Sequence, residues 1–150
     1  MYPEQLVTVF ATIAETLLAV PLRRAEQTHS FGEDALVAQI RYQGAFWGAL
    51  DVTFDAALAR ALAGLMIGSA TRESRRQADA YDTIGEIANI AAGNLRGLLA
   101  SDCQLSLPSV YRIGALPQDS TPLPLLAQVE LWMLERPMRA VLRGEVVRQK

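Results

Sequence analysis

The order of the periodic segments predicts an α+β fold in which helices pack on a largely antiparallel sheet. Apolar residues recur at helical spacing, then alternate as in two strands, then recur twice at helical spacing and finally alternate again. At 150 residues, of which 51% are hydrophobic, the chain is long enough for one domain with a proper core and too short for two of typical size. We therefore expect a single domain over residues 1–150, built as helix, hairpin, helix, helix and hairpin.

The first helix is predicted from Pro3 to about Val20. Its apolar residues recur at helical spacing, and Pro21 ends the pattern because proline cannot continue a helix. Residues 21–34 are polar and unperiodic, which indicates a connecting loop. The helix therefore has one apolar stripe to bury, namely Leu6, Phe10, Ile13, Leu17 and Val20.

A hairpin and a short helix are predicted next. Residues 36–42 and 46–54 alternate between apolar and more polar side chains, and a turn at 43–44 separates them, which is typical of a β-hairpin. Asp55 is a natural N-cap for a second helix, which we expect to stop at Gly68.

The second half of the chain predicts a longer helix and another hairpin. Ser74 and Gln77 have the spacing of a capping box, so a helix is expected from there to about Ala100. Residues 118–124 indicate a loop. Residues 125–134 and 138–147 predict a second hairpin, with one apolar face formed by Ala127, Val129, Leu131 and Met133.

The charge pattern argues against nucleic acid as a partner. The net charge is −2, and the thirteen arginines and one lysine are scattered along the chain rather than gathered into a basic stripe. The nearest approach to a cluster, Arg72, Arg75 and Arg76, is interleaved with acidic residues and is expected to be the solvated start of the long helix.

The single cysteine and the single histidine argue against two classes of protein, disulfide-bonded secreted scaffolds and zinc enzymes. Cys103 cannot form an internal disulfide, and His29 cannot build a multi-histidine metal site, so neither an oxidised secreted scaffold nor a zinc enzyme is predicted. We interpret Cys103 as a small apolar residue at the junction of a helix and a loop, and His29 shows no evident partner. The first twenty residues lack a basic leader, and no apolar run is long enough to span a bilayer, so we expect a cytoplasmic protein without a metal of its own.

The chemical signal lies in the long helix. Both asparagines of the chain, Asn89 and Asn94, occur within the segment DTIGEIANIAAGN at residues 82–94. At about 100° per residue, Asp82, Glu86, Asn89 and Gly93 fall within roughly 60° of one another on one face of the helix. The opposite face is aliphatic, with Ile84, Ile87, Ala91, Leu95 and Leu98. We call the four residues 82, 86, 89 and 93 the motif stripe.

The motif stripe has two interpretations from spacing alone. In the first, it is the solvent-exposed face of an amphipathic helix, and Gly93 allows close packing against a neighbouring strand. In the second, it is a functional surface. Glycine costs about 1 kcal/mol relative to alanine inside a helix and asparagine about 0.6 kcal/mol, so both residues are poor choices for a face that needs only solubility. Residues with poor helix propensity at exposed positions of a helix are typical of a functional site.

The segment DTIGEIANIAAGN, followed by LSLPSV at residues 105–110, resembles the signature of the CheC/CheX/FliY family of bacterial chemotaxis phosphatases. The matching positions are Asp82, Glu86, Asn89 and Gly93, and the motif occurs once, as in CheX-like members. The order of the elements is also similar over nearly the whole chain. The resemblance implies a CheC/CheX-like α+β fold with the motif helix exposed beside a groove that binds a partner.

The resemblance also implies an activity, the removal of phosphate from the aspartyl phosphate of a CheY-like receiver domain. Asn89 would position the attacking water and Glu86 would contact the lysine of the receiver, with Asp82 and Gly93 in partner binding. Mg²⁺ would come with the receiver rather than with this chain. We assign Asn94, which lies about 100° from the stripe, to a structural hydrogen bond.

Two further readings stay open at this point. A flagellar-switch-like module of the same fold would bind a receiver or another protein without hydrolysing anything, and it would use the same stripe. A small-molecule sensor has no polar cluster in its favour. We also expect a homodimer joined through strand edges, because a sheet of two hairpins in so small a domain leaves long apolar edges, and CheX-like proteins are similar in this respect.

Overall fold

The computed structural model describes residues 2–67, 73–99, 102–115 and 123–147. The described residues form three α-helices and a seven-stranded antiparallel sheet, so the predicted α+β class is confirmed. The elements in chain order are α1 (Tyr2–Ile13), β1 (Leu22–Arg24), β2 (Leu36–Gly44), β3 (Phe46–Phe54), α2 (Ala56–Ile67), α3 (Glu73–Leu99), β4 (Cys103–Leu105), β5 (Ser109–Arg112), β6 (Leu125–Met133) and β7 (Arg136–Val146).

The first helix ends earlier than predicted as a regular α-helix. α1 stops at Ile13 and continues as one π-helical turn, Ala14–Leu18, before Ala19 adopts a left-handed conformation with φ 53°. The backbone N–H of Val20 donates to the carbonyl of Ala14 at 3.0 Å and closes this end. The chain therefore leaves the helix just ahead of Pro21, as the proline predicts.

Both predicted hairpins are present. β2 pairs with β3 from Leu36 opposite Phe54 to Tyr42 opposite Gly48, and β6 pairs with β7. The second turn is tighter than expected, because Leu134 and Glu135 alone connect the strands, both with positive φ. The predicted apolar face of β6 is confirmed, since Ala127, Val129, Leu131 and Met133 are all buried.

The helices between the hairpins also match the prediction. The carboxylate of Asp55 accepts a hydrogen bond from the backbone N–H of Leu58 at 3.1 Å, which is the expected N-cap of α2. α3 is continuous over 27 residues. The stop at Gly68, the end at Ala100, residues 118–122 of the predicted loop, and the side chains of the capping box and of the arginine cluster lie outside the described residues.

Three short strands were missed by the sequence patterns, and they change the edges of the sheet. The strand order is β1-β6-β7-β3-β2-β4, and β5 also pairs with β2. β1 lies within residues 21–34, and β4 begins at Cys103, where the patterns indicated loops. Strands of three or four residues are too short to show alternation. The expectation of long apolar edges is therefore wrong for β2, whose outer side pairs with β4 and β5, whereas β1 pairs only with Leu131–Met133 of β6.

The core lies between the helices and one face of the sheet. Alternate residues of the long strands point into it, including Ile40 and Tyr42 from β2, Leu50 and Val52 from β3, and Leu142 from β7. α1 and α3 cover this face, with α2 packed against α3. Among the described helices, none has the length and hydropathy needed to cross a bilayer.

The opposite face of the sheet carries a polar cluster that fastens residues 25–31 to β6 and β7. Glu130 is 8% exposed, and its carboxylate accepts hydrogen bonds from the guanidinium of Arg139 at 2.9 Å, from the amide of Gln128 at 3.1 Å and from the backbone N–H of His29 at 3.1 Å. The guanidinium of Arg139 also donates to the carbonyl of His29 at 2.8 Å. We call residues 29, 128, 130 and 139 the outer cluster.

The outer cluster corrects the interpretation of His29. Its Nε2 donates to the carbonyl of Leu131 at 2.7 Å, and its ring packs edge-on against Trp132, with centroids 4.4 Å apart. The partners of His29 are about a hundred residues away in sequence, so no local pattern could reveal them.

Candidate functional site

The motif stripe lies on the face of α3 that points away from the core. Asp82 and Glu86 are exposed, and Asn89 and Gly93 are half-buried. On the other side of the helix, Ile84, Ile87, Ala91 and Leu95 are fully or almost fully buried. The predicted amphipathic division is therefore present along this part of α3.

Leu98 is the exception to the predicted buried face. It is 51% exposed although its angular position on α3 falls between those of Ile87 and Ala91. Leu99, in the same turn, is partly buried against the core, so the loss of burial is specific to the direction of Leu98. Helical periodicity gives the direction of a side chain but not the extent of the layer beneath it.

The polar side chains of the stripe have no partners among the described residues. In the part of the chain that the structure describes, Asp82, Glu86 and Asn89 form no side-chain hydrogen bond or ion pair. Glu86 and Asn89 are three residues apart, so they are neighbours on the helix surface, with Cβ atoms about 5–6 Å apart. A carboxylate and an amide are thus presented together to a group outside the chain.

Gly93 opens the surface next to Asn89. A Cβ added at this position would meet no atom of the described residues within 4 Å. The alternative in which Gly93 permits close packing against a neighbouring strand is therefore wrong. The gap faces outward, where another molecule can approach the helix backbone.

Asn94 is exposed on α3 beside the motif stripe. Its side chain forms no hydrogen bond with the described residues. The structural hydrogen bond expected for it stays a prediction.

A groove of about 480 Å³ runs beside the first half of the stripe, between α3 and the segment that leads into β5. Asp82 and Glu86 line it from the helix, with Tyr81 and Gly85, and Pro108 and Val110 form its other wall. A Cβ added to Gly85 would lie 3.4 Å from Pro108, so the glycine lets this wall approach α3 closely. The two quoted sequence segments, 82–94 and 105–110, are thus brought together in space.

Four lining residues of the groove were not among the sequence-predicted site residues. Tyr81 and Gly85 lie in or next to the motif, but neither belongs to the stripe of polar spacing. Pro108 and Val110 come from β5 and the residues before it, where Ala38 of β2 pairs with Val110. Gly85, Pro108 and Val110 lie within the two quoted segments, 82–94 and 105–110, and Tyr81 directly precedes Asp82.

A buried hydrogen bond fixes the position of α3 on the sheet. The hydroxyl of Tyr42 on β2 donates to the carbonyl of Ala92 at 2.8 Å, one turn beyond Asn89. Burial raises the pKa of the Tyr42 hydroxyl well above its usual range, and the nearby Cys103 adds to this effect. The hydroxyl therefore stays protonated and keeps donating at neutral pH, which holds the helix backbone beneath the stripe.

Cys103 is buried at the start of β4 rather than at the end of a helix. Burial raises the pKa of its thiol, and this outweighs the opposite effect of the nearby Arg96 guanidinium. A protonated, buried thiol is a poor nucleophile. We therefore place Cys103 outside the candidate site.

Metal binding finds no support in the residues that can be inspected. Within the described ranges, no group of three or more histidine, cysteine, aspartate or glutamate residues is arranged to hold a metal ion. The prediction that the isolated chain binds no metal stays a prediction.

A comparison with protein-family models shows which family the chain belongs to. Residues 36–121 match the model of the chemotaxis phosphatase CheX family, a span that includes α3, the groove and β5. The chain belongs to this family. Among curated proteins, none matches the sequence.

Solved structures show the same CheX-like fold at low sequence identity. The chemotaxis protein CheX of Vibrio vulnificus is 17% identical, with 95% of each chain covered and a TM-score of 0.73. CheX of Desulfovibrio desulfuricans is 18% identical, with 95% of this chain and 97% of that chain covered and a TM-score of 0.70. CheX of Borrelia burgdorferi, solved in complex with CheY, BeF₃ and Mg²⁺, is 11% identical, with coverages of 95% and 96% and a TM-score of 0.69.

Proposed function

We propose that this chain, as a single domain over residues 1–150, dephosphorylates the aspartyl phosphate of a CheY-like receiver domain. The observation that carries the proposal is the pair Glu86 and Asn89 on the open face of α3 in a CheX-family chain, a carboxylate and an amide without partners among the described residues. The complex of Borrelia burgdorferi CheX with CheY, BeF₃ and Mg²⁺ supports the choice of partner.

Asn89 is the proposed catalytic residue. In the reaction, the oxygen of a water molecule attacks phosphorus in line with the aspartyl oxygen, the bond from phosphorus to that oxygen breaks, and the aspartate carboxylate and inorganic phosphate are released. A primary amide both accepts and donates hydrogen bonds, so it can orient the water without becoming charged. Asn89 is half-buried and next to the open surface at Gly93, so the receiver can bring its phosphoryl group to the amide.

Glu86 has a different proposed role. Its exposed carboxylate would form a salt bridge with the lysine of the receiver and fix the direction in which α3 enters the receiver's active site. Asp82, a turn earlier, would add to docking, and Gly93 would leave room for the receiver backbone. Mg²⁺ would be held by the receiver and not by this chain. The predicted homodimer stays a prediction, which a hydrodynamic mass measurement would check.

The test is phosphate release from CheY-like receivers of the same organism, charged with acetyl phosphate, with and without this protein. The single-turnover rate at saturating protein should then fall by about 10² to 10³ in Asn89→Ala, because one hydrogen bond made in the transition state is lost. Binding of the receiver should weaken far less. Stability should not fall, because alanine is the better helix former by about 0.6 kcal/mol.

Two outcomes would contradict the proposal. If Asn89→Ala hydrolyses the phosphoreceiver as fast as the parent protein, Asn89 does not position the water. If the parent protein binds a receiver and never accelerates phosphate release, the non-catalytic binding module takes the place of the phosphatase.

A further inference from the structure

A second cavity, of about 290 Å³, adjoins the groove at Tyr81, which lines both. Arg60 from α2 and Arg112 from β5 line this cavity together with Asp34. The two guanidinium groups come from elements that are far apart in sequence, and both side chains are exposed. Neither forms an ion pair or hydrogen bond with the described residues. Among the described lining residues, two cations face one carboxylate, so this part of the cavity carries a net positive charge.

The cavity lies close enough to Asn89 to be covered by the same partner. Tyr81 and Asn89 are eight residues apart on one helix, which corresponds to about 12 Å along its axis. A standard protein interface buries about 800 Å² on each partner, an area with a radius of about 16 Å if it is roughly circular. A receiver centred on Asn89 therefore reaches Tyr81, which lines the cavity that contains the two arginines.

The charges favour an acidic partner at this place. Proteins bind Mg²⁺ largely through carboxylates, so a receiver that holds Mg²⁺ beside an aspartyl phosphate presents acidic groups around its active site. The motif stripe brings Asp82 and Glu86 towards that acidic site, and like charges oppose the approach. Arg60 and Arg112 supply the opposite sign at the end of the stripe where Asp82 lies.

We infer that Arg60 and Arg112, with Tyr81 between them and the stripe, form the cationic part of the surface that docks the receiver, where they pair with carboxylates on the receiver. The inference rests on the proposed function for the identity of the partner. Pairing at two separate points, the stripe with a lysine and the arginines with carboxylates, fixes the orientation in which Asn89 meets the phosphoryl group. The arginines are positioning residues and take no part in the chemistry.

The experiment measures the Kd for the CheY-like receiver that binds the parent protein most tightly, in its beryllofluoride–Mg²⁺ form, at low and at physiological salt. The parent is compared with Arg60→Ala, Arg112→Ala and the double variant. Each single change is expected to weaken binding by about tenfold, and the double variant should show a shallower dependence on salt. Tyr81→Ala should weaken binding by a similar factor.

Arg24→Ala is the matched control. Arg24 is an exposed arginine on β1, at the edge of the sheet opposite to β5, and its removal should leave the Kd within twofold of the parent. The single-turnover rate at saturation should be unchanged in Arg24→Ala, since this residue lies outside the stripe and outside the docking surface. Thermal unfolding should show that all variants are folded.

The outcomes separate this inference from the proposed function. A Kd within twofold of the parent in the double variant overturns the inference, and so does an equal loss in Arg24→Ala. The proposed function fails on Asn89→Ala instead, and a parent protein that binds no receiver overturns both.

Discussion

Glu86 and Glu130 are the same residue type in two environments that differ in almost every respect. Glu130, in the outer cluster, is 8% exposed and accepts hydrogen bonds from three residues. Glu86, in the motif stripe, is exposed and has no partner among the described residues. One carboxylate completes the fold, whereas the other is available to a second molecule.

The presence or absence of a hydrogen-bond partner among the described residues distinguishes structural from functional polar groups here. A buried carboxylate must be paired, because a charge that is removed from water without a partner strongly destabilises the folded state. An exposed carboxylate stays hydrated and has no such cost. The stripe instead combines unpaired polar atoms with a glycine that no packing requires. Each of the following substitutions tests one side of this contrast, beginning with the largest expected change in the free energy of unfolding.

Glu130→Ala should lower the free energy of unfolding by about 3 kcal/mol, because it leaves the largely buried guanidinium of Arg139 without its carboxylate. Urea denaturation at neutral pH measures the change. The single-turnover rate of hydrolysis should stay at the parental value, since the outer cluster is on the other face of the sheet. A loss below 1 kcal/mol would mean that the cluster does not hold residues 25–31 in place.

Tyr42→Phe should lower the free energy of unfolding by about 1 kcal/mol at pH 8, because the hydrogen bond to the carbonyl of Ala92 is lost. The pKa of Tyr42 is raised in the folded state, mainly by burial, so its contribution to stability is present below about pH 10 and is lost as the pH rises further. The parent protein should therefore lose up to about 1.4 kcal/mol per pH unit more than the variant above pH 10. Equal slopes for the two proteins would contradict the burial of this hydroxyl.

Gly93→Ala should raise the free energy of unfolding by about 1 kcal/mol, because the added methyl group meets open space and alanine favours the helix. Gly97→Ala, one turn further along α3 and equally open, is the control for this gain. Receiver binding should weaken in Gly93→Ala and much less in Gly97→Ala, as measured by titration. A Gly93→Ala variant that is more stable and binds as well as the parent would remove Gly93 from the docking surface.

Glu86→Ala should change the free energy of unfolding by less than about 0.5 kcal/mol, since the side chain is exposed and has no partner among the described residues. Its effect should appear in function, with weaker receiver binding and slower turnover together. Thermal unfolding and single-turnover assays on the same preparation check both parts. A large loss of stability would show that Glu86 has a structural partner, and the contrast with Glu130 would fail.

The sequence could predict the elements whose periodicity is long. α3 spans 27 residues, and β2, β3, β6 and β7 each span nine or more, so the helical and alternating patterns are complete within each of them. β1, β4 and β5 have three or four residues, which is too few for a pattern, and their pairing depends on longer strands that are already in place.

The candidate site likewise has one part that the sequence could predict and one part that it could not. The sequence by itself determined that Asp82, Glu86, Asn89 and Gly93 share one face of α3, because helical geometry fixes the relative directions of residues three and four positions apart. The contact of Pro108 with Gly85, and the cavity that Arg60 and Arg112 line beside Tyr81, are visible only in the tertiary structure. Those neighbours come from separate elements, and their distances follow from how α2, α3 and β5 pack together, which no local spacing encodes.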